Sequence, residues 1–253
     1  MADVPAARSA VRVLAYLSAQ VGPAPAGAIA GHLGLPRSTV YHLLSVLADE
    51  GFVTHLPEEH RYGLGTASLA LGSAYARQAP LARLARPVVA RLMETTHESA
   101  HLAILDGRDV LYLVEQRAPH RPTLVTDVDV RLPSHLTASG RAVLALLPAA
   151  QVRALFPGPA AFTDRTGVGP RSLRELRVVI QEVRRRGYAT EDGEVTPGLG
   201  SVAQAAVDHT GLPVAGIALT FRSDDVAPAR RAELAEAVGS AAAEVSRRLG
   251  ARK

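Results

Sequence analysis

Two stretches of this sequence place chemically able side chains at spacings that could be put to use. His97-Glu98-Ser99-Ala100-His101 is a literal H-E-x-x-H. On a helix the i, i+4 spacing sets both imidazoles on one face to hold zinc, with Glu98 as general base. The second stretch interleaves Arg37, Ser38, Thr39, Tyr41, His42 and Ser45 with apolar Val40, Leu43, Leu44 and Leu47. On a helix the polar set shares the solvent face. There each member can donate or accept hydrogen bonds at phosphates or at base edges in a major groove.

The elements that must position these residues separate the two cases. From Ser99 the chain alternates or runs apolar into Asp106-Gly107, and Val110 to Val114 returns, so His101 to Gln116 reads as paired strands around a DG turn. Along a strand, residues four apart stand roughly 13 Å from each other, too far for one metal. No Ser/His/Asp set is identifiable by spacing, and neither G-x-S-x-G nor a phosphate-cradling glycine loop is present. Without cysteine, thiol nucleophiles, Cys-ligated zinc and iron–sulfur clusters are excluded. The reading therefore assigns no catalytic residue, no metal and no cofactor. One rival stays open: an α+β hydrolase using the HESAH segment for zinc, with an N-terminal module that dimerises it.

Around Arg37 to Ser45 the local signals agree. Ala10, Val13, Leu14 and Leu17 recur at helical spacing from Ser9 to Ala19, and GPAPAG stops that helix. A short helix from about Pro25 to Leu33 turns at Gly34-Leu35. Pro36 then opens a third helix, where a missing N–H costs nothing, and Gly51 ends it. Ile29 and Leu33 face the core, and Ala30 is small where two helices cross, as a helix-turn-helix requires. Segments Phe52 to His55 and Arg61 to Leu64 flank Pro57-Glu58-Glu59 as a hairpin, which makes the element winged. His60 and Arg61 are the wing's cationic or titratable members. Residues 1–64 hold four arginines against five carboxylates, a net charge of −1. A monomer's affinity for DNA is then modest, because counterion release scales with the phosphates neutralised, and dimerisation is the remedy.

The whole chain of 253 residues, with a net charge of +4 and a sequence pI near 9.8, has room for two domains. The expected division is a winged helix-turn-helix over 1–65, a linker helix over 66–79 and a second domain over 80–253. In the last, strand hairpins interleave with helices at Leu81 to Thr95, Ser139 to Leu147, Arg171 to Arg186 and Ala229 to Leu249, giving an α+β class. Aromatics are 4% with no Trp, which thins the equipment for stacking single-stranded bases. No run approaches the roughly 18 apolar residues of a membrane span, and the N-terminus lacks the basic-then-apolar order of a signal peptide. The expectation is a cytoplasmic protein with no membrane partner.

At this level the sequence resembles the IclR family of bacterial transcription regulators over nearly its whole length. SAVRVLAYLSA is similar to the family's first helix, AIAGHLGLPRSTVYHLLSVLADEGFV to its helix-turn-helix and RYGLG to the strand leaving the wing. RLPSHLTASGRAVLALLP resembles the loop and helix placed over the effector, and GYATEDGEVTPGLGSVAQAAV the opposite wall. The resemblance implies a winged helix joined by a linker helix to a GAF-like effector domain, in homodimers or homotetramers on double-stranded DNA. His42 stands where Arg is usual, Glu191 where Asp is usual, Ser201 where Cys is frequent and Ala205 where Pro is usual.

For the effector, Ala138, Ser139 and Gly140 open a helix whose N-terminal N–H groups can hold a carboxylate, and small residues let a ligand approach. Glu191, Ser201, Ala218 and Thr220 match the family's other pocket positions. The ligand expected is an organic or aromatic acid. Glu191 stands against that expectation, since it could instead repel an anion and orient a hydroxyl or amine. Arg141 reads as a surface residue in preference to a pocket cation, and His135 as a loop-organising residue.

Overall fold

In the computed structural model, which describes residues 4–77, 80–119 and 128–251, the helical periodicities become α1 (Pro5–Ser18), α2 (Ala26–Leu33) and α3 (Arg37–Asp49). Val13 and Leu17 of α1, Ile29, Ala30 and Leu33 of α2, and Val40, Leu44 and Leu47 of α3 converge with Val53 in one core. Leu43 is only half-buried beside it. Gly34 caps α2 at φ 66, a left-handed conformation that a Cβ would strain, and its N–H returns to the Ala30 carbonyl.

The wing is a two-stranded antiparallel sheet of β1 (Val53–Leu56) and β2 (Arg61–Leu64), joined by a 3-10 turn at Pro57–Glu59. Tyr62 and Ala24 exchange both backbone hydrogen bonds at 2.9 Å, so the wing is fastened to the segment ahead of α2. Helix α4 (Thr66–Arg77) follows. Positions 78 and 79 of the expected linker lie outside the described residues. The chain divides into two compact units, Met1–Pro80 and Leu81–Lys253.

From its start at Leu81 the second unit holds the rest of α5 (Pro80–Thr96), then β3 (Ser99–Asp106) and β4 (Asp109–Gln116). After it come β5 (Arg131–Pro133), α6 (Ala138–Leu146), α7 (Ala149–Leu155), α8 (Leu173–Arg186), β6 (Ala189–Asp192), β7 (Leu199–Val207), β8 (Pro213–Arg222) and α9 (Pro228–Arg248). Its sheet has the order β5-β4-β3-β8-β7-β6, with every neighbouring pair antiparallel. Leu102, Ile217 and Leu219 face α5 and α9, where Val88, Leu92, Val238 and Val245 fill the larger core. Ala203 and Ala218 face the other way and meet Ala142, Leu144, Leu176 and Ile180 of α6 and α8. Strands β5 and β6 and helix α7 were not expected from the sequence; the first two are short edge strands with little apolar patterning.

The HESAH residues do not share a helix. Helix α5 ends at Thr96, His97 takes a left-handed φ of 59, and Ser99 already opens β3. The i, i+4 face that zinc would need is not formed. No helix among the described residues is long and apolar enough to cross a membrane.

Candidate functional site

Two surfaces gather the residues singled out above. On the first unit, Arg37, Ser38, Thr39, Tyr41, His42 and Ser45 are all exposed along α3 while Val40, Leu44 and Leu47 are buried behind them. The Arg37 guanidinium lies over α2, with Nη2 3.7 Å from the point where a side chain on Gly27 would begin. His60 and Arg61 are exposed on the wing, His60 at φ 52 where the turn closes. Arg61 Nη1 donates to the Pro23 carbonyl at 2.9 Å, so this cation also braces the wing. His55 stacks on Tyr62 with ring centroids 4.5 Å apart.

On the second unit a small pocket lies between the sheet and the first turn of α6. Its position is set by glycine. A Cβ on Gly216 of β8 would lie 2.4 Å from the Ser139 carbonyl oxygen, so α6 can start directly on the sheet only because none is there. Thr137 caps the helix by accepting the Gly140 N–H at 3.1 Å. Ala138, Ser139, Glu191, Ser201, Ala218 and Thr220 all line the pocket. Gly140 does not. Its absent Cβ instead makes room for the Ser134 carbonyl, which would be 2.3 Å away.

The sequence reading did not place His101 or Tyr112 in this wall. Both line the pocket, fully buried, with His101 edge-on to Tyr112 at 5.5 Å between ring centroids. Burial lowers the His101 pKa to about 4, so the ring is neutral near pH 7. Burial also raises the Tyr112 hydroxyl, helped by the nearby Glu191 carboxyl, while a hydrogen bond with Ser139 opposes the rise. The signal available for His101 was the HESAH motif itself, read on a strand: Leu102 points to α5 and α9, so its neighbour His101 points to α6.

Arg141 is neither a surface residue nor a pocket cation. It is 3% exposed and held by the surrounding wall through two hydrogen bonds and an ion pair. Nε donates to the His135 carbonyl at 2.8 Å, Nη1 to the Thr190 carbonyl at 2.8 Å, and Nη2 pairs with Glu194 at 2.9 Å. His135 organises its loop as expected, with Nε2 3.1 Å from the Thr163 carbonyl and its ring edge-on to Phe156 and Phe162.

Because Glu194 takes the guanidinium, Glu191 is left as a buried carboxyl. Burial pushes its pKa up to about 7, the Ser201 hydrogen bond lowers it, the Glu194 charge raises it, and Arg141 and the Val195 N–H lower it. Since the folded value lies above the ordinary 4.5, Glu191 contributes stability that is complete below about pH 4.5 and lost as pH rises through about 7. From about pH 4.5 to mildly alkaline pH the stability of the wild type should therefore fall relative to Glu191→Gln, by on the order of 1 to 3 kcal/mol. Urea melts of both proteins across that range measure it, and parallel curves would contradict it.

Comparison with known proteins covers both surfaces. The model of the IclR helix-turn-helix domain matches residues 6–57, and that of the bacterial transcriptional regulator IclR C-terminal region matches residues 73–247. The glycerol operon regulatory protein of Streptomyces coelicolor is 34% identical over 229 residues, which are 88% of this chain and 87% of that one. The transcriptional repressor IclR of Escherichia coli is 28% identical over 240 residues, 93% of this chain and 86% of its own. The crystal structure of a putative IclR transcriptional regulator from Silicibacter sp. TM1040 superposes with a TM-score of 0.74 at 26% identity, covering 98% of this chain and 97% of that one. An IclR homologue from Microbacterium hydrocarbonoxydans complexed with 4-hydroxybenzoate shares the fold with a TM-score of 0.62 at 20% identity, covering 97% and 99%.

Proposed function

The chain belongs to the IclR family of ligand-responsive bacterial transcriptional regulators, and from that premise we propose which surfaces read DNA and effector. Helix α3 enters the major groove and presents Arg37, Ser38, Thr39, Tyr41, His42 and Ser45, while His60 and Arg61 follow the backbone. The protein acts in the cytoplasm as a homodimer or homotetramer on a palindromic operator, with half-sites about 34 to 36 Å apart or a multiple of that. The observation that carries the DNA reading is the exposed polar face of α3 over a buried apolar one. Arg37→Ala should weaken operator binding by about 1 to 3 kcal/mol in gel shifts at moderate salt. Unchanged affinity would remove Arg37 from the interface.

The effector is a small organic acid held under the first turn of α6, where Ala138 and Ser139 offer backbone N–H groups and the helix dipole favours negative charge. Glu191 is compatible with such a ligand because its carboxyl is neutral over part of the physiological range. Binding then regulates by favouring one assembly geometry over another, which requires different ligand affinity in the two. A thermal-shift panel of organic acids, amines and sugars tests the class. Stabilisation by acids, lost in Ser139→Trp, is expected; stabilisation by amines or sugars alone would overturn it. The role is regulatory and not catalytic. The hydrolase alternative loses its basis where His97 sits at a helix end and His101 on a strand.

A further inference from the structure

The pocket wall holds a line of polar side chains that crosses four adjacent strands. Glu191 Oε1 of β6 accepts from Ser201 Oγ of β7 at 2.8 Å. Ser201 Oγ lies 2.8 Å from Thr220 Oγ1 of β8, and Thr220 Oγ1 lies 2.9 Å from His101 Nε2 of β3. Each residue is at least nine-tenths buried and each lines the pocket. The register explains the line: Glu191 is opposite Ser201, and Ser201 is opposite Thr220. Both outer atoms, Glu191 Oε2 and His101 Nδ1, are buried with no hydrogen bond of normal geometry, although the Val195 N–H is near enough to the Glu191 carboxyl to lower its pKa. A chain satisfied at every inner link and open at both ends, along the wall of a cavity, is what a ligand would complete.

Hydroxyls and a neutral imidazole can each donate and accept, so such a line can run in either direction. With Glu191 ionised, His101 Nε2–H donates to Thr220, Thr220 to Ser201 and Ser201 to the carboxylate, which leaves Nδ1 an acceptor. With Glu191 protonated on Oε1, the carboxyl donates to Ser201, Ser201 to Thr220 and Thr220 to Nε2, and the ring hydrogen stands on Nδ1. The second state holds one proton more than the first, resident on Glu191, and the ring stays neutral in both. A proton on Oε2 would avoid the reversal but would strand the carboxyl O–H, the stronger donor, without an acceptor.

We propose that Glu191, Ser201, Thr220 and His101 form one reversible relay, in which protonation of Glu191 turns His101 Nδ1 from a hydrogen-bond acceptor into a donor. Among the other charged or titratable groups, Glu194 and Arg141 act on Glu191 and pair with each other, Tyr112 stands beside His101 and near Glu191, and Glu115 acts on Tyr112. His101 is thereby the specificity-determining contact. The protonated relay ends in one donor and one acceptor and suits a ligand with an acidic or carbonyl oxygen. The ionised relay ends in two acceptors and suits a ligand with two hydroxyls or an amine. The consequence for ligands rests on the effector reading above; the reversal itself needs no ligand.

The test is a pH titration of the full-length, ligand-free protein labelled with 15N in its histidine rings, with the His101 signals assigned by their loss in His101→Gln. The expected result is a ring with one N–H throughout, which moves from Nε2 to Nδ1 as pH falls through neutrality. In Ser201→Ala, and in Thr220→Val should the first variant fail to fold, the ring should keep one tautomer over the same range. A wild-type ring that keeps one tautomer, that becomes doubly protonated in this range, or that switches equally in the severed variants would overturn the relay. Failure of every acid to stabilise the protein would count against the effector reading alone, since the tautomer measurement contains no effector.

Discussion

Gly216→Val should remove the second unit from the folded state under conditions where the first remains intact. A Cβ at this position would lie 2.4 Å from the Ser139 carbonyl oxygen and 2.8 Å from both its carbonyl carbon and its Cα. These are backbone atoms, which no rotamer change can withdraw. The residue after Ser139 is tightly placed as well: a Cβ on Gly140 would lie 2.3 Å from the Ser134 carbonyl oxygen. Overpacking a core costs about 1 to 3 kcal/mol where side chains can yield. Here the strand, the helix start and the loop would all have to move, so the cost belongs at or above about 4 kcal/mol, the range reserved for a severe structural fault. For a unit of this size that amounts to a fall in melting temperature of roughly 10 °C or more. Calorimetry on the intact chain resolves it: the transition of the second unit should be lowered or lost, with Gly216→Ala intermediate. A valine variant melting within about 2 °C of wild type would show that α6 does not rest on β8 as described.

Arg141→Met should be the second most damaging change. The guanidinium joins three parts of the pocket wall: the loop before α6 through the His135 carbonyl, β6 through the Thr190 carbonyl, and the segment between β6 and β7 through Glu194. The Arg141 side chain is 4% exposed and that of Glu194 13%. Breaking a buried pair by removing one partner costs about 3 to 5 kcal/mol, because the other charge stays behind uncompensated. A buried carbonyl, that of His135, and a partly buried one, that of Thr190, lose a donor at the same time. Glu191 also loses a cation that lowers its pKa, so the penalty should be greater in mildly alkaline than in mildly acidic solution. Urea unfolding at the two pH values measures this, and Glu194→Gln in the Arg141→Met background should restore part of the loss. A pH-independent loss below about 1 kcal/mol would mean that the arginine is solvated.

The residues that could be read correctly from the sequence are those whose surroundings are local. Gly34, Pro36 and Gly51 punctuate α2 and α3 through backbone conformation alone, and Val40, Leu44 and Leu47 reveal their shared face by spacing. The Asp106-Gly107 turn announces β3 and β4 in the same way, with Gly107 at φ 62. Arg141 was misread because its partners come from 6, 49 and 53 residues away, and a lone arginine in an apolar helix has no local sign that three acceptors await it. His101 was missed because β3 is buried on both faces, so its apolar run carries no alternation to show which side a polar residue serves. Strand β6, only four residues at the sheet edge, exists through its pairing with β7 and not through its own composition.

The pair of hydrogen bonds between Tyr62 and Ala24 has an energetic meaning for recognition. An isolated two-stranded hairpin is marginal in water, but this one is stitched to the segment that leads into α2, and the Arg61 contact with the Pro23 carbonyl adds a second stitch beside it. The wing and the helix proposed to read DNA therefore form a single preassembled body before any duplex is met. The conformational entropy of ordering the wing is spent when the protein folds, not when it binds, and affinity is correspondingly spared that loss. In hydrogen exchange the amides of Ala24 and Tyr62 should consequently open together with the helices of the first unit, and not as a frayed tip.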